Sequence, residues 1–340
     1  MLREIHEQPA ALDRTLRAEQ RRMSRLGSAL RARSIPLIVL VARGTSDNAA
    51  LFGRYLLEIT TGIPVSLAAP SVHTLYRRRL ALGGALVVGI SQSGEGTDIN
   101  AVLESSKRAG ATTVALTNNG RSRMAQIADE TFVSRAGRER SVAATKTYTC
   151  QLMLLYMLAE ALGGGDFDPL RRIPDYAAAA LDLEPRIAGV VERYRFMERC
   201  VVVGRALNYA SASELAIKLM ETSYVLAERF SSADFLHGPV ALVERHFPVF
   251  LFAPPGKVFR DLRALAARLR RLQADSLVFS SERSILELAN CPIELPRRVP
   301  DLYSPIPYII PGQIFAAKLA RSKGLSPDHP RSLSKVTRTL

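Results

Sequence analysis

Short runs of almost uninterrupted apolar residues alternate with longer stretches whose apolar residues recur at helical spacing. In the first half of the chain the runs are Leu37–Ala42, Val65–Ala69, Leu86–Ile90, Thr113–Thr117 and Thr131–Ser134. Such runs are typical of strands buried on both faces of a parallel sheet. Together with the helical stretches between them, such as Asp47–Thr60 and Asp98–Ala109, they predict a doubly wound α/β sheet.

The same pattern starts again in the second half. Gly163–Pro169 is rich in glycine and aspartate and is a predicted linker, and Asp175–Arg195 is predicted to form one connecting helix. Further strands are predicted at Cys200–Val203, Val249–Ala253, Ser276–Ser280 and Ile293–Leu295. A strand, a glycine-containing turn and a helix follow Val39 and again follow Cys200, which indicates a duplication.

This duplication predicts two tandem αβα-sandwich domains, each with a doubly wound and mostly parallel sheet. The expected divisions are an N-terminal helical segment at 1–35, a first domain at 36–162, a linker and connecting helix at 163–196, a second domain at 197–329, and a C-terminal tail at 330–340 that could act as a lid. A chain of 340 residues is long enough to bury two such cores.

A polar loop, SQSGEGTD at 91–98, follows the third predicted strand. Hydroxyl groups, glycines and a helix N-terminus at the carboxyl end of a parallel strand suit a phosphate group. Ser91 and Ser93 can donate hydrogen bonds, and the glycines let backbone N–H groups approach the anion. The alternative is an ordinary turn in which Thr97 or Asp98 caps the helix. No Gly-Lys-Ser/Thr follows, so the loop is not a P-loop.

Two further segments are expected near this loop. Thr45 and Ser46 follow the first strand, where they could cap the next helix or bind sugar hydroxyls. Ser141–Thr147 follows the fifth strand and begins another helix, where Val142 and Ala143 would offer only backbone contacts.

The second half contains the candidate chemistry. Glu214, Lys218 and Glu221 are spaced i, i+4 and i+7, on one face of a helix. A salt-bridge ladder on the protein surface is the alternative. Only seven of the 46 basic residues are Lys, and Lys can tune its pKa where Arg cannot, which favours a functional Lys218.

His237 lies in a His-Gly-Pro turn 16 residues after Glu221. Interconversion of an aldose and a ketose phosphate needs an anion cradle, a ring-opening acid–base group, a carboxylate that moves a proton between C1 and C2, and a cation. The loop at 91–97, His237, Glu221 and Lys218 are candidates for these roles, although a lone His is more often structural.

The formal charge of +14 raises the question of a nucleic-acid partner. The basic residues are spread along the chain, their short runs contain no interleaved aromatic residues, and the chain has no Trp. A solvated arginine-rich surface is therefore the favoured interpretation, and its positive field would steer an anionic small substrate.

The cysteine content, the first ten residues and the length of the apolar stretches predict a soluble cytoplasmic protein without membrane contact. Three scattered cysteines include no CxxC pair, which favours a reducing compartment. Residues 1–10 are polar and charged, and the longest apolar stretch, Ala81–Ile90, is too short to span a bilayer. With no metal-ligand cluster or dinucleotide fingerprint in the sequence, no metal or other cofactor is expected.

Three blocks of the chain resemble the isomerase half of glucosamine-6-phosphate synthase (glutamine–fructose-6-phosphate aminotransferase). They are SQSGEGTD at 91–98, ASELAIKLMETS at 212–223 and HGPVALV at 237–243. Residues 4–9 and 330–335 are similar too, so the resemblance covers essentially the whole chain in order. The chain thus resembles the tandem sugar isomerase (SIS) domain family, including its glutaminase-free glucosamine-6-phosphate deaminases.

The resemblance implies two SIS domains in a homodimer with sites near the subunit interface. The positions that match the family's contacts to phosphate and sugar are Ser91, Gln92, Ser93, with Thr45 and Ser46 nearby, and the backbone of Val142. Glu221 matches the carrier of the proton between C1 and C2, and Lys218 its partner. His237 matches the ring-opening histidine, which in this family comes from the neighbouring subunit, and Lys335 matches a tail lysine that closes over the sugar.

The chain also departs from the synthase. Residues 1–35 contain no Cys, so we do not expect glutamine hydrolysis. Gly96 stands where the synthase has a phosphate-binding Thr, although Thr97 follows and could compensate. Ala144 replaces a serine, and the ending VTRTL differs from the synthase tail.

These observations predict a phosphosugar isomerase or deaminase that acts on an amino-sugar or ketose 6-phosphate, of the glucosamine 6-phosphate/fructose 6-phosphate type. The alternatives are a deglycase for fructosamine phosphates, another phosphosugar isomerase, or a non-catalytic phosphosugar sensor. A sensor has less need of the Glu, His and Lys set, and residues 1–35 are too short for the helix-turn-helix domain of regulators with this fold.

Overall fold

The apolar runs of the first half form one five-stranded parallel sheet. In the computed structural model, which describes residues 1–335, its strands are β1 (Ile38–Val41), β2 (Val65–Leu67), β3 (Leu86–Ser91), β4 (Thr112–Thr117) and β5 (Glu130–Val133). They lie in the order β2-β1-β3-β4-β5, and every pairing is parallel. β3 is buried along its whole length, as expected for the central strand of a sheet covered on both faces.

The second half repeats this sheet. Its strands are β6 (Arg199–Gly204), β7 (Leu226–Ser231), β8 (Pro248–Phe252), β9 (Asp275–Ser280) and β10 (Cys291–Glu294). The order β10-β9-β8-β6-β7 is the first order read from the other edge, and all pairings are again parallel. The predicted fold class, α/β with two doubly wound parallel sheets, is therefore confirmed.

Helices connect the strands. They are α1 (Leu2–His6), α2 (Gln8–Arg31), α3 (Thr45–Thr61), α4 (Pro70–Thr74), α5 (Thr97–Arg108), α6 (Arg123–Ile127), α7 (Lys146–Gly163), α8 (Ile173–Leu181), α9 (Glu184–Val191), α10 (Leu207–Ser223), α11 (Ser232–Leu236), α12 (Phe259–Arg271), α13 (Arg283–Leu286) and α14 (Pro305–Ser322). Within residues 1–335, none of them is long and apolar enough to cross a membrane.

The helices after β1 and β6 reproduce the duplication in detail. α3 and α10 each contain 17 residues. Each begins after a residue with positive φ, Gly44 at 56° and Ala206 at 50°, and each ends at a left-handed residue, Gly62 at 70° and Tyr224 at 54°. Such angles are unfavourable for residues with a Cβ, yet Ala206 and Tyr224 adopt them. Both helices therefore begin and end with the same backbone turn, even where glycine is absent.

The described residues form two units of dense internal packing, each built on one sheet. The first unit comprises 7–139, 146–174 and 334–335, and the second comprises 1–6, 140–145 and 175–333. In the first unit α7 packs against α2 and α3, and in the second α10 packs against α14. The contiguous domain limits expected from the sequence remain a prediction.

Two sequence expectations need correction. The predicted connecting helix Asp175–Arg195 is instead α8 and α9, separated after Leu181, because Pro185 favours the first turn of a new helix. The edge strand β7 was not predicted. Only Ala227 and Ser231 of its six residues are buried, so it lacks the apolar run that marks the central strands.

Candidate active site

The strand order brings two loops together at the carboxyl edge of the first sheet. Chain order reverses between β1 and β3, and sheets of this type bind ligands at such a switch point. Arg43 follows β1, and its Nε donates to Asp98 Oδ2 of α5 over 2.6 Å. The Asp98 carboxylate is almost fully buried, so this ion pair ties the two loops to each other.

Two serines, one at the end of β3 and one in the loop after it, have hydroxyl protons left to donate. The Oγ of Ser91 accepts a hydrogen bond from the Gly94 N–H at 3.1 Å, and the Oγ of Ser93 accepts one from the Glu95 N–H at 3.3 Å. Each hydroxyl oxygen that accepts in this way still carries its own proton. The loop can therefore offer two O–H donors to an anion. Gln92 lies between them, half-buried, and its carbonyl accepts from the Asn118 N–H.

Gly94 holds the turn of this loop. Its φ is 70°, and a Cβ at this position would overlap the Oγ of Ser122 and lie 2.5 Å from the Ser122 Cβ. The carbonyl of Gly94 accepts from the Met124 N–H at 3.0 Å and from Asn100 Nδ2 at 3.3 Å. Both the backbone angle and the space require glycine here, so the loop has one fixed shape.

Glycine also precedes the helices on both sides of the switch point. The N-cap of α5 is Gly96 and that of α3 is Gly44, so the alternative that Thr97, Asp98, Thr45 or Ser46 occupies the N-cap position is wrong. Thr97 is the exposed first residue of α5, and Thr45 is the half-buried first residue of α3. Ser46 is buried, and its Oγ accepts from Gln151 Nε2 at 2.9 Å. Neither N-cap residue has a side chain that caps its helix, and in the first turn of α5 the Asp98 Oδ1 accepts from the Ile99 N–H at 2.8 Å.

Gly96→Thr is expected to tighten sugar-phosphate binding. The φ of Gly96 is −62°, and the nearest atoms to an added Cβ are 3.4 Å away, so a threonine fits without strain. One new hydrogen bond of about 1 kcal/mol corresponds to roughly a fivefold lower Kd. Calorimetric titration with fructose 6-phosphate measures it. Gly96→Ala adds the Cβ without the hydroxyl, and equal tightening by both variants would contradict the idea of a missing phosphate donor.

The helix α10 carries a buried ion cluster in the second unit. Lys218 Nζ lies 2.5 Å from Glu221 Oε2 and 3.6 Å from Glu214 Oε1. The side chains of Lys218 and Glu214 have no exposed surface, whereas 24% of the Glu221 side chain is exposed. The alternative of a surface salt-bridge ladder is therefore wrong. Of these three groups, Glu221 is the one that can meet a ligand.

The end of α10 is held by the C-terminal tail. Tyr224 closes the helix three residues after Glu221, and its hydroxyl accepts from the Arg331 N–H at 2.8 Å. The Arg331 guanidinium stacks on the Tyr224 ring, 4.0 Å from its centroid. The segment that carries Glu221 is thus braced by a cation–π contact from the tail.

His237 is an exposed residue at the end of α11. Its N–H donates to the Asp234 carbonyl, and Gly238 and Pro239 follow it into a 3-10 turn. Within residues 1–335, the Glu221 carboxylate accepts from Lys218 Nζ, and no hydrogen bond joins it to the His237 ring. The structure therefore places His237 in the same unit as Glu221 and Lys218 without bringing it into their ion cluster.

Val142 and Lys335 lie in separate local networks. The Val142 N–H donates to the Asp328 carbonyl at 3.2 Å, so a ligand contact from this residue would use its carbonyl oxygen. Lys335 Nζ pairs with Glu139 Oε2 at 3.1 Å in the first unit. Glu139 is buried and also accepts from the Thr147 hydroxyl at 2.5 Å, so it fixes both the tail lysine and the start of α7.

Comparison with known proteins identifies the family. The model of the SIS domain matches residues 33–161 and 196–298, which together make up more than half of the chain. The chain belongs to the SIS domain family. This confirms the resemblance drawn from the three sequence blocks.

The relatives of this SIS-domain chain include aminotransferases. The glutamine–fructose-6-phosphate aminotransferase of Pyrococcus horikoshii is 33% identical over 342 residues, with 98% of this chain and 57% of that enzyme covered. The C-terminal domain of glucosamine-fructose-6-phosphate aminotransferase from Francisella tularensis has a TM-score of 0.88 and 29% identity, with 97% of this chain and 98% of that chain covered. The SIS chain is thus homologous to the isomerase domain of these enzymes and spans less than two thirds of the first one's length.

A solved structure of similar length also matches. A candidate phosphosugar isomerase from Silicibacter pomeroyi DSS-3 is 33% identical with a TM-score of 0.86, with 96% of this chain and 98% of that chain covered. The SIS chain therefore matches that protein along nearly the whole length of both.

Sequence reasoning missed two buried polar residues of the SIS chain. Glu139 was not predicted, although it stands between two arginines directly before the SVAATK segment. Gln151 was not predicted either, because a glutamine inside the apolar helix α7 has no sequence signal for the distant Ser46 that it contacts.

Within residues 1–335, no group of three or more His, Cys, Asp or Glu side chains of the SIS chain is placed to bind a metal ion. Cys150, Cys200 and Cys291 are free and buried, and burial raises the pKa of Cys150 to about 12. A thiol in this state is protonated at neutral pH and does not act as a nucleophile.

Proposed function

We propose that this chain catalyses isomerisation or deamination of an amino-sugar or ketose 6-phosphate, with Glu221 carrying a proton between C1 and C2. The observation that carries the proposal is the cluster on α10: a fully buried Lys218 that holds a partly exposed Glu221 at 2.5 Å. A buried ammonium is costly unless it is paired, so a chain that retains one at this place has a use for it.

The proposed proton transfer follows from this geometry. With ring-opened glucosamine 6-phosphate, the Glu221 carboxylate takes the proton from C2, a C1–C2 double bond forms, and the C1 oxygen takes a proton from water, which gives an enaminol. The same carboxylate then returns its proton to C1, while the C2 nitrogen releases a proton to water and is left as an imine. Water adds to the imine and ammonia leaves, which gives fructose 6-phosphate. Lys218 keeps Glu221 oriented and offsets negative charge during these steps.

We assign binding of the substrate's phosphate group to residues of the first unit. The hydroxyls of Ser91 and Ser93 and the N-terminus of α5 can hold a dianion, with Thr97 and Gln92 beside them. Thr45 and Ser46, at the start of α3, would meet the sugar. The remaining roles that the family resemblance implies, ring opening by His237 and a backbone contact from Val142, belong to the same proposal, as does a homodimer.

Removal of residues 330–340 is expected to lower kcat by at least tenfold. The cut removes the Arg331 contacts with Tyr224 and the Lys335 partner of the buried Glu139. A tail that closes over the sugar contributes to the reaction step, so the loss should appear in kcat more than in folding. Steady-state kinetics and thermal unfolding of the same samples measure both effects.

Single substitutions identify the part of the tail that matters. Lys335→Ala should reproduce most of the kinetic loss, whereas Arg331→Ala should act mainly on the packing around Tyr224. Full turnover by the truncated chain would show that the tail has no part in the reaction.

The direct test is release of ammonia and fructose 6-phosphate from glucosamine 6-phosphate by the purified chain. Both products should appear in equal amounts, and Glu221→Gln should abolish them. Fructose 6-phosphate without Glu221 dependence would refute the assigned role. Binding of the sugar phosphate without any turnover would favour a sensor, and turnover only of a fructosamine phosphate would favour a deglycase.

A further inference from the structure

The motif EIHEQP at residues 4–9 resembles the family in sequence, yet the proposed reaction gives none of its residues a role. Its first residue, Glu4, lies on α1 and is only 3% exposed. Of the five residues of α1, only Glu4 and Ile5 are buried. A buried carboxylate is costly unless hydrogen bonds or opposite charges compensate it, so the partners of Glu4 indicate what it does.

Glu4 holds two consecutive peptide groups of a segment that lies far along the chain. Its Oε1 accepts from the Arg140 N–H and, at 3.4 Å, from the Ser141 N–H, and its Oε2 lies 3.3 Å from the same Ser141 nitrogen. The Met1 ammonium lies 3.5 Å from Oε2 and supplies an opposite charge. Hydrogen bonds to an ionised acceptor are about twice as strong as those between neutral groups, so Glu4 fixes this backbone firmly.

Two further hydrogen bonds fix the same segment to the residues just before the tail. The Ser141 hydroxyl donates to the Pro327 carbonyl at 3.2 Å, and the Val142 N–H donates to the Asp328 carbonyl at 3.2 Å. All of these residues belong to the second unit, as does Glu4. The N–H groups of three successive residues, 140 to 142, are therefore all engaged in hydrogen bonds.

We propose that Glu4 is a positioning residue, which sets the direction in which the Val142 carbonyl meets the sugar. The inference rests on the proposed function, in which the Val142 backbone contacts the substrate. Because peptide groups are planar, fixing the N–H groups of three successive residues leaves few directions open to the next carbonyl. In this role Glu4 does not touch the substrate but acts through residues 140–142.

This role predicts an effect on binding of the sugar part of the substrate and not of its phosphate group. The proposed phosphate contacts come from the loop after β3 and not from residues 140–142. A misdirected Val142 carbonyl loses its contact with the sugar, whereas a general loss of stability weakens binding of both parts alike. Comparison of fructose 6-phosphate with inorganic phosphate as ligands therefore separates positioning from stability.

Hydrogen exchange of the full chain without substrate tests the positioning directly. Glu4→Ala removes both acceptor oxygens, so the amides of Arg140 and Ser141 should exchange roughly tenfold faster than in the wild type. The Val142 amide should also exchange faster, by about threefold, although its acceptor is the Asp328 carbonyl and not Glu4. Faster exchange at Val142 would mean that the effect of Glu4 reaches the residue proposed to contact the sugar.

Calorimetric titration measures the effect on binding. Glu4→Ala should raise the Kd of fructose 6-phosphate about fivefold, which corresponds to the loss of one hydrogen bond, and leave the Kd of inorganic phosphate unchanged. Glu4→Gln keeps one acceptor oxygen. It should therefore give exchange rates and Kd values between those of the wild type and those of Glu4→Ala.

Asp275→Ala is the matched control. Asp275 is another buried carboxylate of the second unit, at the start of β9, and it pairs with Arg193 at 2.9 Å. The substitution removes a buried acid that holds an arginine instead of the backbone at 140–142. Exchange at residues 140–142 and both Kd values should stay at their wild-type levels.

Three outcomes would overturn the proposal. They are unchanged exchange at Val142 in Glu4→Ala, an equal rise of both Kd values in that variant, and the same effects in Asp275→Ala. If Glu4→Ala does not fold, Glu4→Gln decides, and wild-type exchange at Ser141 in that variant would overturn the proposal. A wild-type chain that binds no fructose 6-phosphate refutes the proposed function instead. Because exchange is measured without substrate, the two failures are distinguishable.

Discussion

Glu221→Gln is expected to lower kcat for conversion of glucosamine 6-phosphate by about 10²- to 10⁴-fold, the usual contribution of a general base. The amide keeps the size of the side chain but cannot accept the C2 proton. Because the proposed phosphate contacts come from the loop after β3 and not from α10, the Kd for fructose 6-phosphate should change by less than about threefold. Product assays and calorimetric titration measure the two quantities.

Glu228→Gln is the matched control for this experiment. Glu228 lies on the neighbouring strand β7, is exposed, and carries the same charge. It should retain wild-type kcat. Normal turnover by Glu221→Gln would mean that another group carries the proton, and loss of sugar-phosphate binding would mean that Glu221 acts mainly in binding.

Lys218→Met is expected to destabilise the protein by about 3–5 kcal/mol, because it removes the cation from a buried ion cluster. Glu214 has no exposed side-chain surface, and its Oε1 lies 3.6 Å from Lys218 Nζ. The substitution leaves that carboxylate buried without the lysine. Urea denaturation followed by circular dichroism measures the loss, and kcat should fall as well.

Two comparisons isolate the buried charge as the cause. The double variant Glu214→Gln/Lys218→Met should recover much of the stability, since it no longer buries the carboxylate. Lys107→Met removes an exposed lysine that pairs with Asp129 at 2.8 Å, and it should cost less than about 1 kcal/mol. Equal destabilisation by Lys107→Met and Lys218→Met would contradict the argument from burial.

The sequence alone determined the fold class and most of the strands. A strand that is covered on both faces must be apolar at nearly every position, so β1, β3 and β8 are visible as continuous runs. The edge strand β7 escaped prediction because one of its faces is exposed and its sequence, LAERFS, contains two charged residues. The two helices in place of one at 173–191 were missed because helical spacing continues across the break.

The sequence also indicated the candidate catalytic residues, but it did not indicate whether they are exposed or buried. Spacing put Glu214, Lys218 and Glu221 on one helix face, and it could not decide whether that face meets water or the protein interior. The tertiary packing decided it: α10 packs against α14, and the side chains of Lys218 and Glu214 have no exposed surface. Because it is buried, the i, i+4 pair of Glu214 and Lys218 is part of an ion cluster that holds the Glu221 carboxylate in place.

Only the tertiary structure showed the contacts between residues that are far apart in the sequence. Glu139 with Lys335 and Ser46 with Gln151 are each brought together over about 100 residues or more. Local sequence patterns report on neighbours within a few positions, since helix and strand periods extend no further. Which side chains meet across such distances follows from the order of the strands in the sheet, and that order exists only after the chain has folded.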